Sequence, residues 1–262
     1  MGGHVRLGSL PKTRKWQQVI DLLGAHADVG EIAAASSDAA ENSLTQAAKD
    51  PAFLHSFWLL TQIPLAARTE NFAAELRQLG LNVGNAPSLM EVLSAFGDAV
   101  DRHARETGAG LRTDFGEMAR MAATEALGTV AGRDLPGLFG PTADDVKLSI
   151  GKLISPNNFS VLSRDFFSRL TQRHLDYYLS RELSKHVGPQ GRFNSIAEHT
   201  EFNAALERHC KEASRIIKEF AGGWYSKKNY ENELTPSEAG KFAHVAFKKI
   251  RNELRKRRDA DG

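Results

Sequence analysis

The chain has 262 residues, and its 34 Lys or Arg and 32 Asp or Glu side chains leave a formal net charge of +2 at pH 7. Hydrophobic residues make up 41% and charged residues 25%, which excludes a disordered chain, and the single cysteine, Cys210, excludes a disulfide framework or a cysteine-rich metal site. No apolar run approaches the roughly 18 residues that span a bilayer, and the first residues do not resemble a signal peptide. We therefore expect a soluble, globular, cytoplasmic protein.

Apolar residues recur with the helical period along most of the chain, as Leu162, Phe166 and Leu170 illustrate. Alternating strand patterns bounded by turns are missing. The predicted fold class is all-α: a multi-helix globular bundle of about ten helices, without significant β-sheet and without the fixed repeat of a solenoid. The helices are expected near residues 12–23, 29–48, 51–62, 70–79, 88–106, 114–130, 142–153, 159–187, 196–220 and 236–258.

Helix starts are marked by short polar residues placed three positions before an acid, the spacing of a capping box. The pattern occurs at Ser88–Glu91, Asp114–Glu117, Ser195–Glu198 and Thr235–Glu238. Thr142 with Asp145 is a weaker match. A proline also follows Asp50, Ser155 and Thr235, at the first helical position, where its missing N–H costs nothing.

Charge is divided unevenly between the two parts of the chain. Residues 1–154 hold 14 basic and 18 acidic side chains, a net of −4, whereas residues 155–262 hold 20 and 14, a net of +6. Such a split indicates that one end meets an acidic partner. The predicted organisation is an Ala-rich acidic helical subdomain at 1–140 and a basic, aromatic-richer helical subdomain at 141–262, with one continuous domain as the alternative.

The last predicted helix carries a row of cations on one face, with an apolar stripe opposite it. The row consists of Lys241, His244, Lys248, Arg251, Arg255 and Arg258. A ridge of this kind can follow the phosphates of a nucleic acid, dock on an acidic protein or lie on an anionic membrane surface. It is also what a solvated helix end looks like, since cations there complement the helix dipole. Nucleic acid or an acidic partner is the predicted ligand.

A glycine pair, Gly222 and Gly223, precedes aromatic residues interleaved with lysines, and the segment is expected to be a loop. Its candidate binding residues are Trp224, Tyr225, Lys227 and Lys228. Aromatic rings in such a loop can stack on bases while the ammonium groups meet phosphates. The alternative is that the rings anchor the loop on the bundle.

Two Arg-x4-His matches, Arg169 with His174 and Arg181 with His186, lie in the long helix predicted at 159–187. This spacing resembles that of the HEPN domains, small helical bundles with a metal-free RNase site. The resemblance implies RNA cleavage with His174 or His186 as acid or base and the arginine stabilising the phosphorane. Residues five apart on a helix lie about 140° around its axis, so convergence would require a dimer.

The remaining histidines and Cys210 show no metal-ligand spacing, and no nucleotide-binding or hydrolase motif occurs. We therefore predict no metal site and no cofactor, and an enzyme is the less favoured class. The predicted function is a non-catalytic α-helical interaction or adaptor subunit of a bacterial multiprotein assembly, with other protein subunits as partners. Anti-phage defence is one candidate setting, and the HEPN-like RNase is the alternative function.

Overall fold

The computed structural model describes residues 4–5, 13–41, 49–107, 112–136, 140–188 and 191–261. The α-helices within these ranges are α1 Arg14–Gly24, α2 Val29–Ala39, α3 Pro51–Ala66, α4 Phe72–Gln78, α5 Leu89–Thr107, α6 Asp114–Gly132, α7 Ala143–Gly151, α8 Pro156–Leu183, α9 Ile196–Ala213, α10 Ile217–Tyr230 and α11 Pro236–Asp261. Three single 3₁₀ turns follow α7, α8 and α9, at Lys152–Ile154, Ser184–His186 and Ser214–Ile216.

Extended backbone is minor in the described part of the chain. Two short strands, β1 His4–Val5 and β2 Arg112–Thr113, pair in parallel, and Val187 forms an isolated bridge with Phe193. Neither pairing builds a sheet layer, so the all-α prediction is confirmed. None of the described helices has both the length and the apolar character needed to cross a lipid bilayer.

The polar caps predicted at Ser88, Ser195 and Thr235 form, and the one predicted at Asp114 is shifted by one position. The carboxylates of Glu91 and Glu198 accept the amides of Gly84 and Asn194 instead of those of the cap residues. Thr142 and Asp145, the weaker match, make a complete capping box. Asp114 is not a cap but the first residue of α6, because the hydroxyl of Thr113 accepts the amide of Gly116 at 2.9 Å. The Thr113 hydroxyl itself donates to the carboxylate of Asp50, which orients the hydroxyl oxygen toward the helix.

The prediction of a loop at Gly222, Gly223 and the aromatic residues that follow is wrong, since α10 continues to Tyr230. Gly222 is buried where α10 crosses the start of α8, and a Cβ added there would lie 2.4 Å from the carbonyl oxygen of Pro156. The glycine therefore permits close helix–helix contact and does not act as a hinge. The single helix predicted at 196–220 is instead divided, because the 3₁₀ turn at Ser214–Ile216 separates α9 from α10. Residues 42–48 of the helix predicted at 29–48 lie outside the described residues.

Buried residues from both predicted subdomains form one hydrophobic cluster that extends from Trp16 to Leu254. The 28-residue helix α8 lies at its centre and contacts α6, α9 and α10. Helix α2, from the acidic part of the chain, packs against both α9 and α11. This packing is compatible with the alternative of one continuous domain, and the boundary at residue 140 stays a prediction.

Candidate anion-binding surface

Helix α11 buries its apolar side and turns its basic side outward. Ala243, Ile250 and Leu254 are buried, as their spacing predicts. Glu238 and Glu253 are only partly exposed. Among residues 236–257, the exposed titratable side chains are all basic: Lys241, His244, Lys248, Lys249 and Lys256. The outer face of α11 means these five residues from here on.

Two of the six basic residues that are predicted to form a row on α11 are paired with acids of the same chain. Arg251 forms an ion pair with Glu41, and Arg255 Nε lies 2.7 Å from Asp38 Oδ1. Although burial by itself would raise the pKa of the Glu41 carboxyl, Arg251 and Lys15 together lower it. Arg251 and Arg255 therefore attach α11 to the region of α2. The side chain of Arg258 lies outside the described residues.

The lysines of the outer face form only weak interactions with other residues of the protein. Lys241 pairs with Glu238 at 2.6 Å and Lys256 pairs with Glu253 at 2.7 Å, both with more than 70% of the lysine side chain exposed. Exposed pairs of this kind contribute little to stability and are screened by salt. Lys248 forms no ion pair with a described residue, and Lys249 Nζ lies 5.4 Å from the centre of the Phe220 ring. These ammonium groups can therefore meet an external anion.

The aromatic residues predicted to stack on bases serve packing instead of lying in a loop. Tyr225 is buried, its ring stacks on Phe159 at 3.9 Å, and its hydroxyl donates to the carbonyl oxygen of Thr61 at 3.0 Å. Burial raises the pKa of Tyr225. Trp224 is half-buried, with its ring 4.4 Å from that of Phe242. Both side chains hold α10 against its neighbours, which matches the alternative interpretation.

The two lysines of α10 differ in their surroundings. Lys228 Nζ contacts the carboxylates of Glu231, Glu233 and Glu238, which join the end of α10 to the start of α11. Hydrogen bonding to Glu233, reinforced by the other two carboxylates, raises the pKa of Lys228. Lys227 is 70% exposed and lies 3.9 Å from Glu231. Of the two, Lys227 is the one that faces solvent.

The first Arg-x4-His pair is divided between two environments. Arg169 lies between Asp165, at 2.7 Å, and Glu125, at 2.9 Å. His174 is completely buried between the rings of Phe115 and Tyr178, and this burial lowers its pKa to about 3. Arg169 thus faces acids of α6 and α8, while His174 belongs to the core.

The second Arg-x4-His pair lies at the end of α8. The guanidinium of Arg181 lies 4.3 Å from the centre of the Tyr177 ring. His186 occupies the 3₁₀ turn Ser184–His186. The structure therefore separates Arg169 from His174, and the nuclease alternative stays a prediction.

Sequence reasoning missed a cleft of about 470 Å³ that contains a histidine pair. The rings of His55 and His103 stack with centroids 4.0 Å apart, and Trp58 and Arg102 line the same cleft. Burial, together with repulsion from His103, lowers the pKa of His55 to about 3. The two histidines are on different helices, α3 and α5, so no spacing in the sequence could reveal the pair. Within the described residues no group of three or more potential ligands could hold a metal ion.

Sequence reasoning also missed a cluster of arginines beside α11. Arg164 of α8, Arg215 of the 3₁₀ turn after α9 and Arg257 of α11 surround the carboxylate of Glu212. These residues come from separate parts of the chain, and only the packing of α8, α9 and α11 brings them together.

No protein-family model matches the chain, and neither a curated protein nor a solved structure matches it. The fold and the charged surface define the chain as an all-α protein with a basic surface on α11.

Proposed function

We propose that this protein is a non-catalytic α-helical interaction subunit of a bacterial multiprotein assembly in the cytoplasm, and that the outer face of α11 binds nucleic acid. One observation carries the proposal: the exposed titratable side chains of residues 236–257 are all basic. The anti-phage setting stays a prediction, since none of the described contacts bears on it.

The length and chemistry of the outer face favour nucleic acid over an acidic protein. From Lys241 to Lys256 the helix advances about 22 Å. A partner that contacts all of these lysines must therefore carry negative charge over a similar length. Lysine ammonium groups act as mobile point charges without a fixed fork. They suit the repeated phosphates of a backbone, which supply most of sequence-independent binding.

Protein partners would have separate contact points. Met90, Leu148, Ile196 and Tyr230 are large apolar side chains that are each more than 60% exposed. They lie on α5, α7, α9 and α10, and none of them is part of α11. We propose them as positions where other subunits contact this chain, because covering each of them removes apolar area from water.

The test is the binding of short labelled RNA and DNA, single- and double-stranded, followed by fluorescence anisotropy over a range of salt concentrations. We expect affinity to fall as salt rises. The Lys248→Glu/Lys249→Glu double variant should weaken binding, and lower the slope of log affinity against log salt by about 2, one unit for each phosphate contact.

The matched control is the Arg105→Glu/Arg133→Glu double variant, which makes the same change in net charge at two exposed residues, one in α5 and one directly after α6. It should bind nearly as tightly as the unmodified chain. If the unmodified chain binds no nucleic acid at low salt, the nucleic-acid role is wrong. If the control variant loses as much affinity as the α11 variant, the outer face of α11 is not the site. Binding to poly-glutamate with no binding to nucleic acid would assign an acidic protein to this face instead.

A further inference from the structure

Three guanidinium groups converge on one carboxylate at the junction of α8, α9 and α11. The nearest nitrogen–oxygen distances to Glu212 are 2.8 Å from Arg215, 3.7 Å from Arg257 and 3.9 Å from Arg164. The cluster therefore holds three positive charges and one negative charge. Lys211 and Lys218, which are both exposed, flank Glu212 and Arg215 in the sequence, and the exposed Glu219 follows Lys218.

Glu212 does not satisfy the donors that surround it. Only the Arg215 contact is within hydrogen-bonding distance, and the contacts to Arg164 and Arg257 are too long. Arg164 Nη2 donates to the carbonyl oxygen of Lys211 at 3.0 Å, while its Nε is buried without a hydrogen-bond partner among the described residues. Arg257 makes no hydrogen bond to a described residue. Two of the three guanidinium groups thus retain unused donors.

We propose that Arg164, Arg215 and Arg257 form a phosphate-binding site, in which the Glu212 carboxylate occupies part of the space that the phosphate takes. A carboxylate is planar and offers two oxygens, whereas a phosphate group is tetrahedral and can receive guanidinium groups from several directions. The excess charge of the cluster matches the −1.5 to −2 charge of a phosphate monoester, or two successive phosphodiesters at −1 each. Arginine, with its fixed fork of donors, is the side chain suited to such a site.

This inference rests on the proposed function where the phosphate belongs to a nucleic-acid backbone. The cluster then adds an anchoring point beside the lysines of α11, since Arg257 lies on the same helix as Lys249 and Lys256. A free polyphosphate shares the chemistry and needs no nucleic-acid role. The two sources are distinguished by using two probes, a short single-stranded RNA and inorganic pyrophosphate.

Glu212→Gln is the decisive variant, because a binding site and a purely structural ion-pair network respond to it in opposite ways. Glutamine has nearly the same shape and removes the negative charge that competes with the ligand. In a binding site, affinity should therefore rise by about tenfold, the effect expected of one charge-assisted interaction. In a purely structural network, the variant would lose thermal stability without binding either probe more tightly.

Arg215→Gln is the second variant and should weaken binding by about tenfold, by the same reasoning. The side chain of Arg215 is 67% exposed, so this variant is expected to fold even if Glu212→Gln does not. Arg133→Gln, at an exposed residue outside the cluster, is the matched control. Circular dichroism verifies the fold of each variant, and RNA binding and pyrophosphate binding are measured by anisotropy and by calorimetry.

Opposite changes in Glu212→Gln and Arg215→Gln, with Arg133→Gln unchanged, support the site. If they occur with RNA, the phosphate is that of the backbone. If they occur with pyrophosphate while the unmodified chain binds no RNA, the phosphate site stands and the nucleic-acid role is wrong. If RNA binds but the folded variants bind both probes as the unmodified chain does, the site is wrong and the nucleic-acid role stands. A chain that binds neither probe overturns both. If Glu212→Gln does not fold, an unchanged affinity of Arg215→Gln for both probes overturns the site.

Discussion

Arg255 Nε of α11 lies 2.7 Å from the Oδ1 atom of Asp38 in α2, which joins two residues 217 positions apart in the chain. About one helical turn away, Arg251 forms an ion pair with Glu41. Part of the positive charge that the sequence places on α11 is therefore neutralised inside the protein, where it fixes the last helix to the acidic part of the chain. The remaining cations are the ones available for binding.

Replacing Arg251 with glutamine should destabilise the fold. Its side chain is only 16% exposed, so the variant leaves the Glu41 carboxylate partly buried beside a weaker partner. We expect a loss of about 1–2 kcal/mol in the free energy of unfolding, measured by urea denaturation. Lys248→Gln, at an exposed residue of the same helix, should change it by less than about 0.5 kcal/mol. Equal midpoints for the two variants would contradict the role given to Arg251.

Stability should fall in acid because His174 is buried in its neutral form. Its pKa is about 3 in the folded protein against 6.5 for the free side chain, so the unfolded chain binds more protons between these values. The contribution is fully present above pH 6.5 and is lost progressively as the pH falls toward 3. It amounts to about 2 kcal/mol on going from pH 6.5 to about pH 5.

The measurement is the free energy of unfolding as a function of pH for the unmodified chain and for His174→Phe. Phenylalanine fits the aromatic surroundings of Phe115 and Tyr178 and cannot take up a proton. The curve of this variant should therefore be flatter over the same range. A His174→Phe curve as steep as that of the unmodified chain would show that another group causes the acid sensitivity.

Alanine at two adjacent glycines should have opposite effects on stability. At Gly222 a Cβ would lie 2.4 Å from the Pro156 carbonyl oxygen, so Gly222→Ala forces α10 away from α8. The cost should be about 1–3 kcal/mol. At Gly223 nothing lies within 4 Å of the added Cβ, so Gly223→Ala should stabilise the helix by about 0.5–1 kcal/mol. Thermal denaturation of both variants measures this, and similar melting temperatures would contradict the packing of α10 on α8.

The thiol of Cys210 should be unreactive in the native protein. The residue is completely buried, and its burial, with smaller effects of Asp176 and Glu207, raises the pKa of the thiol. Because the thiolate is the reactive form, we expect no labelling by a thiol reagent such as DTNB until urea unfolds the chain. Labelling followed through the unfolding transition should coincide with the loss of circular dichroism. Rapid reaction without denaturant would show that α9 opens locally.

Much of the helical architecture can be predicted from local signals. Pro51 and Pro156 begin α3 and α8, with Asp50 and Ser155 as their caps, as the sequence indicates. Such signals work because a cap or a first-turn proline acts on backbone groups within a few residues. The sequence does not reveal that the segment after Gly222 is helical, because a glycine pair is equally typical of a loop and of a close helix crossing. Only the position of Pro156 on α8 distinguishes the two.

The sequence by itself determined the fold class, most helix boundaries and the basic character of the last helix, because these depend on residues near one another in the chain. Only the tertiary structure decided which charged side chains are available to bind a ligand. It pairs Arg251 and Arg255 with acids near α2, surrounds Lys228 with three glutamates, buries His174, and assembles Arg164, Arg215 and Arg257 around Glu212. The physical reason is that ion pairing and burial depend on distances between side chains that are remote in sequence, and helical periodicity carries no information about them.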